Sequence, residues 1–263
     1  AIALEGVDEY LVVSRSVSTL RGHYPVETDA IAEELGPFDA HFLIPAFFEG
    51  GRVTRDSVHY IEVNGIATPV HETEFARDSV FGYSTSYLPD YAQEKTQGRV
   101  QSQQVERFLL ADIRSGTQGR LMGLQGNVCC AVDAEVQADL NRFAQDLLAA
   151  AAQGKKFLFR SAASILTALA ALPPQPIDAD HMSNYVRGGK PGAIIVGSHV
   201  KKSTLQLQEL LQLPGVAGVE VDVALLRSSD EDIRAQLLAR ILGQAKVAGQ
   251  NAGYLHQPRG ADL

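Results

Sequence analysis

Short apolar runs alternate with stretches of helical spacing along most of the chain. Tyr10, Leu11, Val12 and Val13 predict a strand over 10–13. Residues 28–35 carry Ala30, Ile31, Glu34 and Leu35 at helical spacing and are closed by Gly36 and Pro37, the pattern of a helix and its stop. A second strand is predicted over 42–44, ending at Pro45. The runs 58–63 and 66–68 flank Asn64 and Gly65. That dipeptide predicts a hairpin, because both turn residues must take φ > 0. A short helix follows over 87–95, then strands over 107–110 and 128–132. Residues 135–152 form the clearest helix, with Val136, Leu140, Phe143, Leu147 and Leu148 on one face and Gly154 beyond it. A strand over 157–159 and a helix over 161–172 complete this part.

Pro173, Pro174 and Pro176, followed by Gly188, Gly189, Pro191 and Gly192, then interrupt the pattern. Such a stretch reads as a linker and places a domain boundary between units 1–175 and 190–263. The alternation restarts beyond it, with a strand over 193–196, a helix over 204–211, a strand over 219–221, a helix over 230–248 and a strand beginning at 254–255. Alternating strands and helices predict an α/β fold: two three-layer α/β/α units with mostly parallel sheets, the second incomplete. No internal repeat is visible.

Composition narrows the function classes. With 45% hydrophobic and 21% charged residues, the 263-residue chain has enough apolar material for a core, which excludes disorder as its general state. Its net charge of -8 argues against nucleic acid as the main partner, since phosphate binding needs a surplus of Lys and Arg on one face. A local basic pocket for a small anion stays open. No stretch approaches the roughly 18 apolar residues of a membrane span, and no signal peptide opens the sequence, so a cytoplasmic location without membrane partner is expected. Cys129 and Cys130 are adjacent within the apolar run 126–132. Two neighbouring thiols rarely bridge and make no zinc site, so they read as small core residues in a reducing compartment.

Three segments carry candidate chemistry. The first follows the strand over 10–13. There the hydroxyls of Ser16, Ser18 and Thr19 cluster with Arg15 and Arg21, and Gly22 lets the backbone approach a ligand. Ligands of α/β sheets bind beyond the carboxyl ends of strands, where this loop falls. Arg suits a carboxylate and Ser or Thr suits a polyol hydroxyl. A helix cap with surface arginines accounts for the same composition equally well. The second segment, 44–55, contains Gly50, Gly51, Arg52 and Thr54, and reads equally as a mobile loop. The third, 71–78, offers Glu72, Glu74 and Asp78 as metal-proximal carboxylates or a base, against the plainer reading of a solvated charged turn.

Taken in order, these residues resemble a known family. Ser18, Thr19, Leu20, Arg21 and Gly22, then Pro45, Ala46 and Phe47 with Gly51, Arg52 and Thr54, then the run from Glu72 to Asp78 resemble the four-carbon acid sugar kinases. Some members of that family are labelled Hrp-dependent type III effector proteins, and the 14–23 stretch is most similar to that branch. The run from Phe157 to Ser164, then Val196, Gly197 and Ser198 with Thr204, and the run from Val219 to Asp222 extend the resemblance over nearly the whole chain. It implies an N-terminal domain for the sugar acid, a C-terminal domain for ATP, and Mg2+-assisted phosphoryl transfer to a substrate hydroxyl. It implies that Ser18, Thr19, Leu20, Arg21, Gly22 and Arg52 bind the substrate. Gly197, Ser198 and Thr204 match the nucleotide side, where a helix N-terminal turn also suits phosphate. No catalytic residue is identified.

The pattern is departed from in three places. The family's opening Asp-Asp-rich loop and its closing glycine-rich segment are not in the sequence, and Val17 stands where the pattern has Asp. The chain is therefore expected to be incomplete and not by itself a competent kinase. The alternative is a non-catalytic binding or effector-like interaction protein that retains the kinase fold. Expected partners are a small sugar acid, a nucleotide and a second copy of the chain in a homo-oligomer.

Overall fold

In the first unit the chain runs β1 (Val12–Arg15), α1 (Val26–Leu35), β2 (Ala40–Ile44), β3 (Arg52–Arg55), β4 (Val58–Val63), β5 (Ile66–Pro69), α2 (Leu88–Lys95), β6 (Glu106–Phe108), α3 (Leu110–Ser115), α4 (Gln118–Gly123), β7 (Val128–Val132), α5 (Gln137–Ala151), β8 (Phe157–Ser161) and α6 (Ser164–Leu169). This computed structural model describes residues 10–173, 181, 192–198 and 201–251. The chain divides into two compact units, Ala1–Pro174 and Gln175–Leu263.

Five strands form a parallel sheet in the order β1-β8-β2-β7-β6. All five residues of β2 and of β8 are buried, as expected for inner strands covered on both faces. One face packs Phe42, Phe157 and Phe159 against Phe108 and Phe143, with the Phe42 ring centroid 5.3 Å from that of Phe157 and 5.7 Å from that of Phe143. Helix α5 supplies Leu140, Phe143 and Leu147 to this core, whereas Val136, which precedes the helix, and Leu148, both expected on that face, are turned to solvent at 51% and 40% exposure. Each such side chain contributes about 1.5–3 kcal/mol of burial. The opposite face packs Leu43, Cys129 and Ala131 against Leu20, Tyr24, Leu88 and Tyr91. Both cysteines are buried free thiols, and burial pushes the Cys129 thiol up to about 12.

A second, antiparallel sheet has the order β3-β4-β5. Its β4–β5 hairpin turns on Asn64 (φ 52°) and Gly65 (φ 78°), the geometry the dipeptide predicts. Strand β3 was not expected from the sequence. Thr54 and Ala134 exchange backbone hydrogen bonds of 2.9 and 3.0 Å, which fixes β3 beside the carboxyl end of β7. Helices α3 and α4 were also not expected. At six residues each, they are too short to display a period. The expected helix over 161–172 narrows to α6, because β8 continues through Ser161.

The second unit contains α7 (Lys201–Leu211), α8 (Val223–Leu226) and α9 (Glu231–Asn251). The strands expected over 193–196 and 219–221 do not form. Among the described residues of this unit there is no strand, so the three-layer sheet architecture expected for it is not seen there. The reason is pairing. A β segment is stable only when a neighbour completes its ladder, and here Ile195 is 97% exposed with no strand beside it among the described residues. Val221 instead leads into α8, whose N-terminus is capped by Asp222 accepting from Ala224 N (2.9 Å) and Leu225 N (3.1 Å). The expected strand at 254–255, and the expected linker apart from residues 173, 181 and 192, lie outside the described residues.

Candidate functional site

The loop after β1 is built by its carbonyl groups. Ser16 N donates to Ser161 O at 2.7 Å, which carries the β1–β8 ladder past the strand end. The next three carbonyls that matter are consecutive. Ser18 O accepts from His59 Nε2 (2.8 Å), Thr19 O from the Tyr83 hydroxyl (2.7 Å) and Leu20 O from the Tyr91 hydroxyl (2.7 Å). All three donors are buried side chains. Their grip holds Leu20 at φ +60°, an uncommon conformation for a γ-branched residue.

His59 is fixed in its neutral form by this arrangement. A carbonyl only accepts, so Nε2 carries the proton, and Nδ1 accepts from the Thr54 hydroxyl at 2.9 Å. Burial pushes the imidazole pKa down to about 4, and the nearby Arg52 charge acts in the same direction. Burial likewise raises the Tyr83 and Tyr91 phenols above their ordinary range, so both remain donors.

Beneath the loop lies Arg160 of β8. Its Nη2 donates to Arg21 O (3.2 Å), and its Nη1 lies 3.5 Å from Glu27 Oε2. Ser14 Oγ donates to Glu27 Oε1 (2.6 Å), and Ser16 Oγ donates to Arg21 O (3.2 Å). Gly22 has φ +117°, and a Cβ there would sit 2.6 Å from Arg160 Nη2. Only glycine suits both constraints.

With its backbone held, Arg21 extends its side chain outward. Nε donates to Thr19 Oγ1 (3.2 Å), Nη1 to Asp78 Oδ2 (3.3 Å), and the guanidinium lies 5.0 Å from the Phe75 ring centroid. Asp78 thus joins the first candidate segment. Glu72 and Glu74 of the same motif do not: Glu72 faces His71 Nε2 at 3.9 Å, and no hydrogen bond ties Glu74 to the loop. Among the described residues no group of three His, Cys, Asp or Glu side chains is placed to hold a metal ion.

Arg52 begins β3 on the face that also carries Thr54 and His59. Its Nη1 donates to Gly50 O, its Nε is buried without a hydrogen-bond partner among the described residues, and burial lowers its pKa. His59 therefore links the two segments that carry Arg52 and Ser18. Asp133, directly after β7, was missed by sequence reasoning. Its position just past a predicted buried strand was the available signal. Oδ1 accepts from Ser57 N (2.8 Å), Oδ2 is buried without a hydrogen-bond partner among the described residues, and burial raises the carboxyl to about 6. Tyr83 and Tyr91 carried no sequence signal that set them apart from core residues; Arg160 stood out as a charge within the run from Phe157 to Ser164 but was not assigned a role.

Val17 lies at the rim of the same loop and is 44% exposed. Gly197 and Ser198 belong to the second unit, in residues 192–198, which have no regular structure, and Thr204 lies in the first turn of α7. Residues 199–200 between them lie outside the described residues.

The family described as a sugar-binding N-terminal domain matches residues 1–169. A solved structure described as a putative tRNA synthase from Salmonella typhimurium LT2 is similar to the chain, with a TM-score of 0.59 and 19% identity, over 100% of this chain and 56% of that one. A Haemophilus influenzae protein assigned to DUF1537 is similar with a TM-score of 0.50 and 18% identity, over 65% of this chain and 39% of that one. At these identities the likeness is one of fold. The chain spans 39% and 56% of the lengths of those two proteins. No curated protein matches the chain significantly.

Proposed function

The chain belongs to the sugar-binding N-terminal domain family, and from that premise we propose that its first unit binds a four-carbon sugar acid, threonate or erythronate, on the loop of residues 18–22. The observation that carries this reading is the inward grip on three successive carbonyls by His59, Tyr83 and Tyr91. It fixes the loop in advance and leaves the Arg21 guanidinium partly exposed at its outer edge, braced from below by the buried Thr19 hydroxyl. Preorganised donors bind an anion without the entropy cost of ordering a mobile loop.

In this reading Arg21 takes the carboxylate, Ser18 takes a hydroxyl, the buried Thr19 hydroxyl orients the guanidinium, and Leu20 and Gly22 give the loop its shape. Arg52, close enough to His59 for its charge to lower the imidazole pKa, adds positive charge on the side of the loop that His59 holds. The proposal extends to an ATP-dependent sugar acid kinase of the four-carbon acid type, in a reducing, cytoplasmic setting that suits the free Cys129 and Cys130. The backbone of Gly197 and the hydroxyls of Ser198 and Thr204, ahead of and within the first turn of α7, are of the donor type that phosphates need. ATP would supply the transferable phosphoryl group, and Mg2+ would neutralise its charge with few protein ligands of its own.

Val17 favours a second reading, a protein that binds the acid without transfer, since an exposed valine cannot supply a carboxylate at the loop's rim. Calorimetric titration with threonate and erythronate tests the binding site. Millimolar or tighter affinity that is lost in Arg21→Ala is the expected result, and unchanged affinity in that variant overturns the reading. A coupled ADP-release assay with Mg-ATP, repeated on Val17→Asp, separates transfer from binding alone.

A further inference from the structure

Resting on the reading that residues 18–22 hold a sugar acid, we propose that Asp78 reads the ligand's α-hydroxyl, so that Arg21 and Asp78 together select α-hydroxy acids over plain carboxylic acids.

The pair is built with unused capacity on both sides. Asp78 Oδ1 already accepts two backbone N–H groups, from Val80 (2.9 Å) and Phe81 (3.0 Å). Oδ2 has Arg21 Nη1 alone, at 3.3 Å, longer than the roughly 2.7–2.9 Å of a strong charge-assisted bond. Arg21 Nε is taken by Thr19 Oγ1, whereas Nη2 makes no hydrogen bond among the described residues. The side chains are 28% and 23% exposed, so a ligand reaches both. The site presents guanidinium N–H donors and, beside them, a carboxylate oxygen with spare lone pairs.

A ligand satisfies both when it carries a carboxylate and a hydroxyl on neighbouring atoms. The carboxylate accepts from Arg21, and the hydroxyl donates to Asp78 Oδ2. The α-hydroxyl is the donor covalently held nearest the carboxylate, which makes it the group that fits the adjacent pair. A plain acid offers Asp78 nothing to accept and sets its own negative charge against it. Such discrimination, by an acceptor with capacity beyond its one long bond to Arg21, adds to what shape alone provides.

The two residues are also held in fixed relation. Phe75 lies beneath the Arg21 guanidinium, and Phe81 packs edge-on against His23 with centroids 4.8 Å apart. Asp78 keeps its charge, because the N–H groups of Phe81 and Val80, together with Arg21, hold its carboxyl below the ordinary range.

The test is calorimetric titration of the full chain with threonate and with its 2-deoxy counterpart, 3,4-dihydroxybutyrate, in the unmodified protein, Asp78→Asn and Arg21→Ala. Asn retains an oxygen for Val80 and Phe81, so the turn survives, and a melting curve verifies this. Asp78→Ser provides a second variant if it does not. The unmodified protein should prefer threonate by about tenfold or more, and Asp78→Asn should reduce that preference to about twofold, through weaker binding of threonate and relief of the charge repulsion on the 2-deoxy acid. An unchanged preference in Asp78→Asn, with Arg21→Ala still abolishing binding, overturns the role of Asp78 and leaves the sugar acid site standing. Threonate affinity unchanged in Arg21→Ala, or no binding by the unmodified protein, overturns the site itself and this inference with it.

Discussion

His59 on β4 donates from Nε2 to the carbonyl oxygen of Ser18 at 2.8 Å, across 41 residues of sequence. A side chain of the antiparallel sheet thereby sets the conformation of a loop that leaves the parallel one. The buried imidazole must stay neutral for this, with its pKa pushed down to about 4. The unfolded chain binds a proton near pH 6.5 that the folded chain refuses, so stability is lost as pH falls from about 6.5 through about 4. Replacing His59 by Gln removes this titration. Urea unfolding at pH 7 and pH 4.5 should show the stability gap between the two proteins narrowing at the lower pH, by about 1–3 kcal/mol.

Asp133 acts in the opposite sense. Its carboxyl is raised to about 6, chiefly by burial. The folded state holds a proton that the unfolded state releases near pH 3.9, so the stability present at low pH is lost as pH rises from about 4 through about 6. Asp133→Asn retains an acceptor for Ser57 N and does not titrate. It should flatten that decline, leaving the variant more stable relative to the parent at pH 7 than at pH 4 by about 1–3 kcal/mol in denaturant titrations.

Gly22→Ala should destabilise the first unit by about 1–3 kcal/mol, the scale of backbone strain at an enforced positive φ. The added methyl also meets Arg160 Nη2, which supports Arg21 O. Weaker threonate binding should accompany the lower melting temperature. An unaltered melting curve with full affinity would show that the loop is not held as described.

Arg21→Ala separates binding from stability. Its ion pair with Asp78 is partly exposed and long, so the melting temperature should hardly move. Affinity for threonate should fall by about 1.5–3 kcal/mol in calorimetry, the contribution of a charge-assisted hydrogen bond.

Much of the fold was legible in the sequence because its signals are local. Alternation and helical spacing marked β2, β7, β8 and α5, and Asn64 with Gly65 marked the hairpin. The loop after β1 was marked as a site candidate by its place beyond a strand and by its hydroxyls and arginines. These are properties of neighbouring residues, and neighbouring residues suffice to determine them.

Other features were decided only by the tertiary structure. Strand β3, with Val53 as its one apolar residue, exists because β4 and Ala134 complete its backbone hydrogen bonds, whereas the more apolar 193–196 finds no strand beside it among the described residues. His59, Tyr83 and Tyr91 look like ordinary strand and helix-flanking residues in sequence, and become the holders of the loop only when packing brings them to three successive carbonyls. Arg21 meets Asp78 across 57 residues. The sequence by itself determined which segments could become strands, helices and turns, since those preferences arise within a few residues. The tertiary structure decided which polar groups found partners, because a buried hydrogen bond depends on where distant segments are brought together.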